Sequence, residues 1–100
     1  MKPIPFPEDE IDDIKKRINK KENIFTIRCS KEFNKYNEGD LLKTGWGDAL
    51  KVVDVKKAKS FVELREKFEH FNTAMKKHPD KMSEIKKFKD FDIIELRSVR

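Results

Sequence analysis

Crosslinking chemistry is almost absent from this chain: Cys29 is its one cysteine, so no disulfide staples the fold and no second thiol completes a zinc-ligand pair. A packed or edge-strand thiol is expected there. Histidine is nearly as scarce. His70 and His78 lie eight residues apart on an expected helix, beyond the i, i+4 pairing that brings two imidazoles to one metal. No metal and no other cofactor is expected. No apolar run approaches the ~20 residues that span a bilayer, and the start Met1-Lys2-Pro3-Ile4-Pro5 lacks the apolar core of a signal peptide. The expectation is a cytoplasmic protein with no membrane partner. Internal repeats and low-complexity linkers are missing too, and 100 residues suffice for one modest core. A single domain over 1–100, acting as a monomer, is therefore expected.

Charge, by contrast, is plentiful. Charged residues make up 43% of the chain and hydrophobic ones 36%, yet the apolar positions recur with clear periodicity, which argues for a folded chain over a disordered one. A net charge of +5 favours anionic partners. Residues 1–50 hold ten basic and ten acidic side chains, whereas residues 51–100 hold fourteen and nine. Lys56, Lys57, Lys59, Lys76, Lys77, Lys81, Lys86, Lys87 and Lys89 supply most of the excess, and clustered lysines attract a phosphate backbone without reading sequence. The same residues also suit a Lys/Glu-rich solubilising surface.

Along the chain, Pro3 to Pro7 is extended, and Pro7 is well placed to start a helix. Acidic residues from Glu8 to Asp13 precede basic ones from Lys15 to Lys21, an order that complements the helix dipole, and Ile11, Ile14 and Ile18 form one apolar stripe. Ile24-Phe25-Thr26-Ile27-Arg28 reads as the central strand, with Phe25 and Ile27 on the core face and Thr26 and Arg28 on the other. A hydroxyl beside a guanidinium suits a carbonyl, a phosphate or a base edge, though such a pair is also ordinary on an exposed strand face. Glu38-Gly39-Asp40 is a turn. Leu41–Lys43 and 49–55, joined through Gly45-Trp46-Gly47, read as an antiparallel hairpin with Trp46 as a core lid or a stacking surface. Ser60 and Glu63 form a capping box that opens a helix expected to run to His78 before Pro79, and Leu64, Phe68, Phe71 and Met75 are its core stripe. Residues 91–99 read as a closing strand. The order predicts an α+β fold, a small mixed or antiparallel sheet curled towards a barrel and flanked by helices, with Phe25, Ile27, Leu50, Val52, Leu64, Phe68 and Phe71 in one core.

Asn23 to Arg28, Asn37-Glu38-Gly39-Asp40-Leu41-Leu42, the Leu50 to Val55 strand, Ser60 to Leu64 and Ile93 to Leu96, taken in this order, resemble the ASCH domain of the PUA-like superfamily over nearly the whole chain. The resemblance implies a compact β-barrel flanked by helices. It also implies RNA binding or, in a small bacterial branch, hydrolysis of the amide of N4-acetylcytidine. The family pattern at the strand runs glycine, any residue, lysine, any two, glutamate or threonine, any residue, arginine. With Thr26 and Arg28 fixed, Lys21 stands at the glycine and Asn23 at the lysine. For the hydrolytic branch the resemblance implies Thr26 as nucleophile and a helical glutamate, Glu66 or Glu69, assisting proton transfer, with Lys20 or Lys21 substituting for the activating lysine only if the loop bulges. Asn23 is an amide where that chemistry needs a titratable amine. A binding module would use Thr26 and Arg28 to hold a phosphate or base edge, Tyr36 or Trp46 to stack, and Lys56 and Lys57 to steer RNA or a modified nucleoside. Binding is the expected function, with hydrolysis as the alternative.

Overall fold

Three prolines within the first seven residues keep the start of the chain extended. In the computed structural model, which describes residues 1–99, this arm forms a two-residue strand, β1 (Lys2–Pro3). Helix α1 (Glu8–Asn19) follows, capped by Pro7, with Glu8, Asp9 and Glu10 in its first turn and Lys16 and Arg17 in its last. Its charges thus oppose both ends of the helix dipole. Ile14 and Ile18 are buried. The helix ends with Lys21 N–H donating to Ile18 O (3.0 Å) and Glu22 N–H to Arg17 O (2.9 Å), while Lys21 takes φ 59°. This is a Schellman ending, with a lysine at the left-handed position that glycine usually fills.

The remaining elements are β2 (Ile24–Cys29), a 3₁₀ turn (Ser30–Glu32), β3 (Leu41–Lys43), β4 (Ala49–Ala58), α2 (Phe61–Lys67), α3 (Phe71–Lys77), α4 (Pro79–Glu84), a second 3₁₀ turn (Ile85–Lys87) and β5 (Phe91–Ser98). The strands lie in the order β1-β3-β4-β5-β2. β1 runs parallel to β3, and β3 antiparallel to β4 with Leu42 opposite Leu50. The fold is therefore α+β, with one curled, mixed five-stranded sheet and four α-helices, in line with the architecture predicted from the element order. The position of β2 is a correction: it was expected at the centre and stands at an edge. β1 occupies the other edge, where the N–H that Pro3 lacks is not needed for a ladder. No helix among the described residues is long and apolar enough to cross a membrane.

Residues pack into two compact units, 1–26 with 36–55 and 94–99, and 27–35 with 56–93. In the first, Ile4, Ile14, Ile18, Ile24, Tyr36, Leu42, Leu50, Val52, Ile94 and Leu96 form a buried cluster, against which Phe6, Trp46 and Val55 pack. Its turns are closed by the backbone. Gly39 (φ 91°) donates to Val52 O at 2.8 Å, and Thr44 N–H donates to Asp48 O at 2.9 Å across the hairpin tip. In the second unit Leu64, Phe68, Phe71, Met82, Phe91 and Ile93 are buried, and the Phe61 and Phe71 rings meet edge-on at 5.3 Å. Of the residues expected to share one core, Leu50 and Val52 belong to the first cluster, while Leu64, Phe68 and Phe71 are buried in the second unit. Phe25 and Ile27 are only half-buried.

The helix expected from Ser60 to His78 is divided. Ser60 caps α2 through Glu63 N–H (3.0 Å), but Phe68 is extended (φ −97°, ψ 106°) and a turn over Glu69 and His70 separates α2 from α3. Phe71 N–H donates to Phe68 O at 3.1 Å across this break. Helices of seven residues are marginal alone. Burial of Leu64, Phe68 and Phe71 on both sides of the break is what holds them.

Candidate functional site

Alternation along β2 does not divide its faces as the sequence suggested. Ile24 and Arg28 are buried, Thr26 shares their parity and is half-buried, and Phe25 and Ile27 on the opposite parity are half-buried as well. The face assigned to chemistry thus holds the two most buried residues of the strand. Arg28 is 7% exposed, and its Nη1 donates to Glu32 Oε2 at 2.7 Å. The guanidinium expected to grip a phosphate or base edge is thus largely buried and paired with a carboxylate.

The two stacking candidates lie in the first unit. Tyr36 is 1% exposed and part of the core cluster, so it offers no face to a base. Trp46 is half-buried as a lid against the cluster, tilted against Phe6 at 6.0 Å, with Lys15 Nζ 5.7 Å from its ring and Nε1 donating to Asp48 Oδ2 at 2.7 Å. Of the catalytic candidates, Lys21 is exposed in the turn after α1 and Thr26 is half-buried on β2, both within the first unit. Glu69 is exposed in the turn after α2, in the second unit. Asn23 donates from Nδ2 to Glu95 Oε2 at 2.6 Å.

The second unit brings together a constellation built around a different lysine. Lys56 and Lys57 end β4 as exposed side chains. Lys57 Nζ donates to Asp92 Oδ1 and to Asn34 Oδ1, each at 2.5 Å, and stands 4.6 Å from the centroid of the Phe33 ring. Asp92 is fully buried, and its other oxygen accepts from Asn34 N–H at 2.7 Å. Asn34 takes φ 64° and Ser30 φ 58°, so the segment after β2 reaches Asp92 through two left-handed residues. Asp92 and Asn34 were not singled out from the sequence, and Phe33 was read only as an anchor of the connection after β2. The available signal was an acid inside Phe91-Asp92-Ile93-Ile94, a run that is buried throughout.

Charge is divided between the units. Among the described residues the second unit carries fourteen lysines and arginines against eight acids, and the first nine against eleven. Half-buried phenylalanines of the second unit carry ammonium groups over their rings: Lys86 over Phe61 at 5.7 Å and Lys87 over Phe88 at 5.3 Å, besides Lys57 over Phe33. Cys29, half-buried on β2, has its thiol pKa raised by burial and then by the Glu32 carboxylate, with Arg28 acting the other way. Among the described residues no group of three or more His, Cys, Asp or Glu side chains is arranged to hold a metal ion. Comparison with protein-family models, with curated proteins and with solved structures gives no match.

Proposed function

We propose that this chain is an RNA- or nucleotide-binding domain of the ASCH, PUA-like kind, acting as a cytoplasmic monomer, and that the second unit is its polyanion-binding part. The observation that carries the reading is the partition of charge: the whole basic excess falls on one unit. Lysines spread over such a surface attract phosphate by counterion release. Ring faces beside the lysines add the aromatic element on which bases stack in sequence-tolerant binders. Lys21 itself departs from the family pattern, though its backbone does not. The family pattern has glycine at this position, and the backbone there is left-handed, a conformation that costs a glycine least.

Hydrolysis of N4-acetylcytidine or a related nucleoside by Thr26 is the weaker reading, because Asn23 commits its amide to Glu95 and cannot accept a proton from the hydroxyl. RNA binding is tested by fluorescence anisotropy with short single-stranded and hairpin RNAs over a salt series from about 50 to 200 mM. Binding that weakens steeply across the series is expected. No binding of either RNA at the lowest salt removes the reading.

A further inference from the structure

We propose that Lys57, held in place by buried Asp92, is a built subsite for one phosphate oxygen; the inference deepens the nucleic-acid-binding reading by naming the residue that orders it. A fully buried carboxylate is costly, and a well-packed apolar residue often serves stability as well. Asp92 nevertheless sits between buried Phe91 and Ile93, and both of its oxygens are engaged, Oδ1 by Lys57 and Oδ2 by the Asn34 N–H. The result is a lysine that is oriented without being buried, since its side chain is 47% exposed.

An ammonium has three donors. Asp92 and Asn34 fix two of them, and the ring of Phe33 lies 4.6 Å from the nitrogen. The third N–H is left for a ligand. Because the carboxylate is the buried partner and the ammonium the exposed one, the pair turns its positive end to solvent. A free surface lysine must lose rotamer freedom when it binds; here that freedom is already lost on folding, so a phosphate oxygen meets an oriented donor. Lys67 ties down the main chain at this position, donating to the Lys57 backbone carbonyl at 2.9 Å while pairing with Glu63 at 2.5 Å. The ligand chemistry is a phosphate oxyanion, from an RNA backbone or from a free phosphate group.

Asp92→Asn separates this arrangement from diffuse attraction, because it raises the net charge by one. Diffuse attraction makes the variant bind RNA more tightly. A subsite that Asp92 orients makes it bind several-fold more weakly. Lys57→Gln should also weaken binding and reduce the slope of log affinity against log salt by about one. A readout that needs no variant is NMR of the Lys57 side-chain ammonium in the wild-type protein, titrated separately with a short oligouridine and with inorganic phosphate. Saturable movement of that resonance with RNA supports the subsite. Movement with phosphate while RNA does not bind keeps the subsite and removes the nucleic-acid reading. RNA binding that leaves Lys57 unmoved, or tighter binding by Asp92→Asn, overturns the subsite and leaves the reading. If neither probe moves Lys57 and RNA does not bind, both fall.

Discussion

The Asn23 side-chain amide donates to Glu95 Oε2 at 2.6 Å, joining the turn before β2 to β5. An amide does not titrate, so Thr26 has no base from this position. Wild-type protein should release no measurable cytidine from N4-acetylcytidine, since loss of general-base assistance alone removes about 10² to 10⁴ in rate. Asn23→Lys is expected to pair its ammonium with Glu95, and the double change with Glu95→Gln should release more cytidine than Asn23→Lys alone. Brisk wild-type turnover that disappears in Thr26→Ala would overturn the binding reading.

Lys21 gives a stability test of the helix ending. A side chain in the left-handed region costs ~1–2 kcal/mol, and glycine returns part of the gain through its freer unfolded chain. Lys21→Gly is therefore expected to raise stability by about 0.5–1 kcal/mol in urea denaturation. An unchanged or lower midpoint would argue against the left-handed turn.

Burial ranks the core positions. Leu96 has no exposed surface and lies in the first unit's cluster, so Leu96→Ala should cost about 2–5 kcal/mol. Phe25 on the edge strand is half-buried, and Phe25→Ala should cost clearly less despite the larger side chain. Equal losses would contradict the burial of β2 described above.

Asp40 sets a pH dependence. The Lys2 ammonium at 2.8 Å, and then the Asn37 N–H, hold its carboxyl below the ordinary value of 3.8. A carboxyl depressed in the folded state contributes stability above its unfolded pKa and loses it as pH falls through the folded value. Wild type should thus exceed Asp40→Asn in stability at neutral pH by a small margin, because the pair is partly exposed. The margin should vanish in strong acid. Denaturation curves of both proteins across the acid range check the sign, and a margin that grows on acidification would be the wrong one.

Local patterns alone were enough for much of this fold. The acid-to-base order around the isoleucine stripe placed α1, the Gly-flanked Trp46 link placed the hairpin, and Ser60 with Glu63 placed the start of α2. Each signal acts within a few residues, where capping, turn geometry and the helix dipole are decided. The basic excess of the second half was equally legible, because charge needs no contact to be counted.

Tertiary structure decided the rest. Two-residue periodicity told Thr26 and Arg28 apart from Phe25 and Ile27, but which parity is covered depends on what packs on each side of an edge strand, and the answer went against hydrophobicity at Arg28. Tyr36 was removed from the surface by the same long-range packing. The Lys57, Asp92 and Asn34 constellation draws its members from positions up to 58 residues apart. Local propensity could not foretell it, since a carboxylate is tolerated in a buried strand only when distant donors arrive to pair with it.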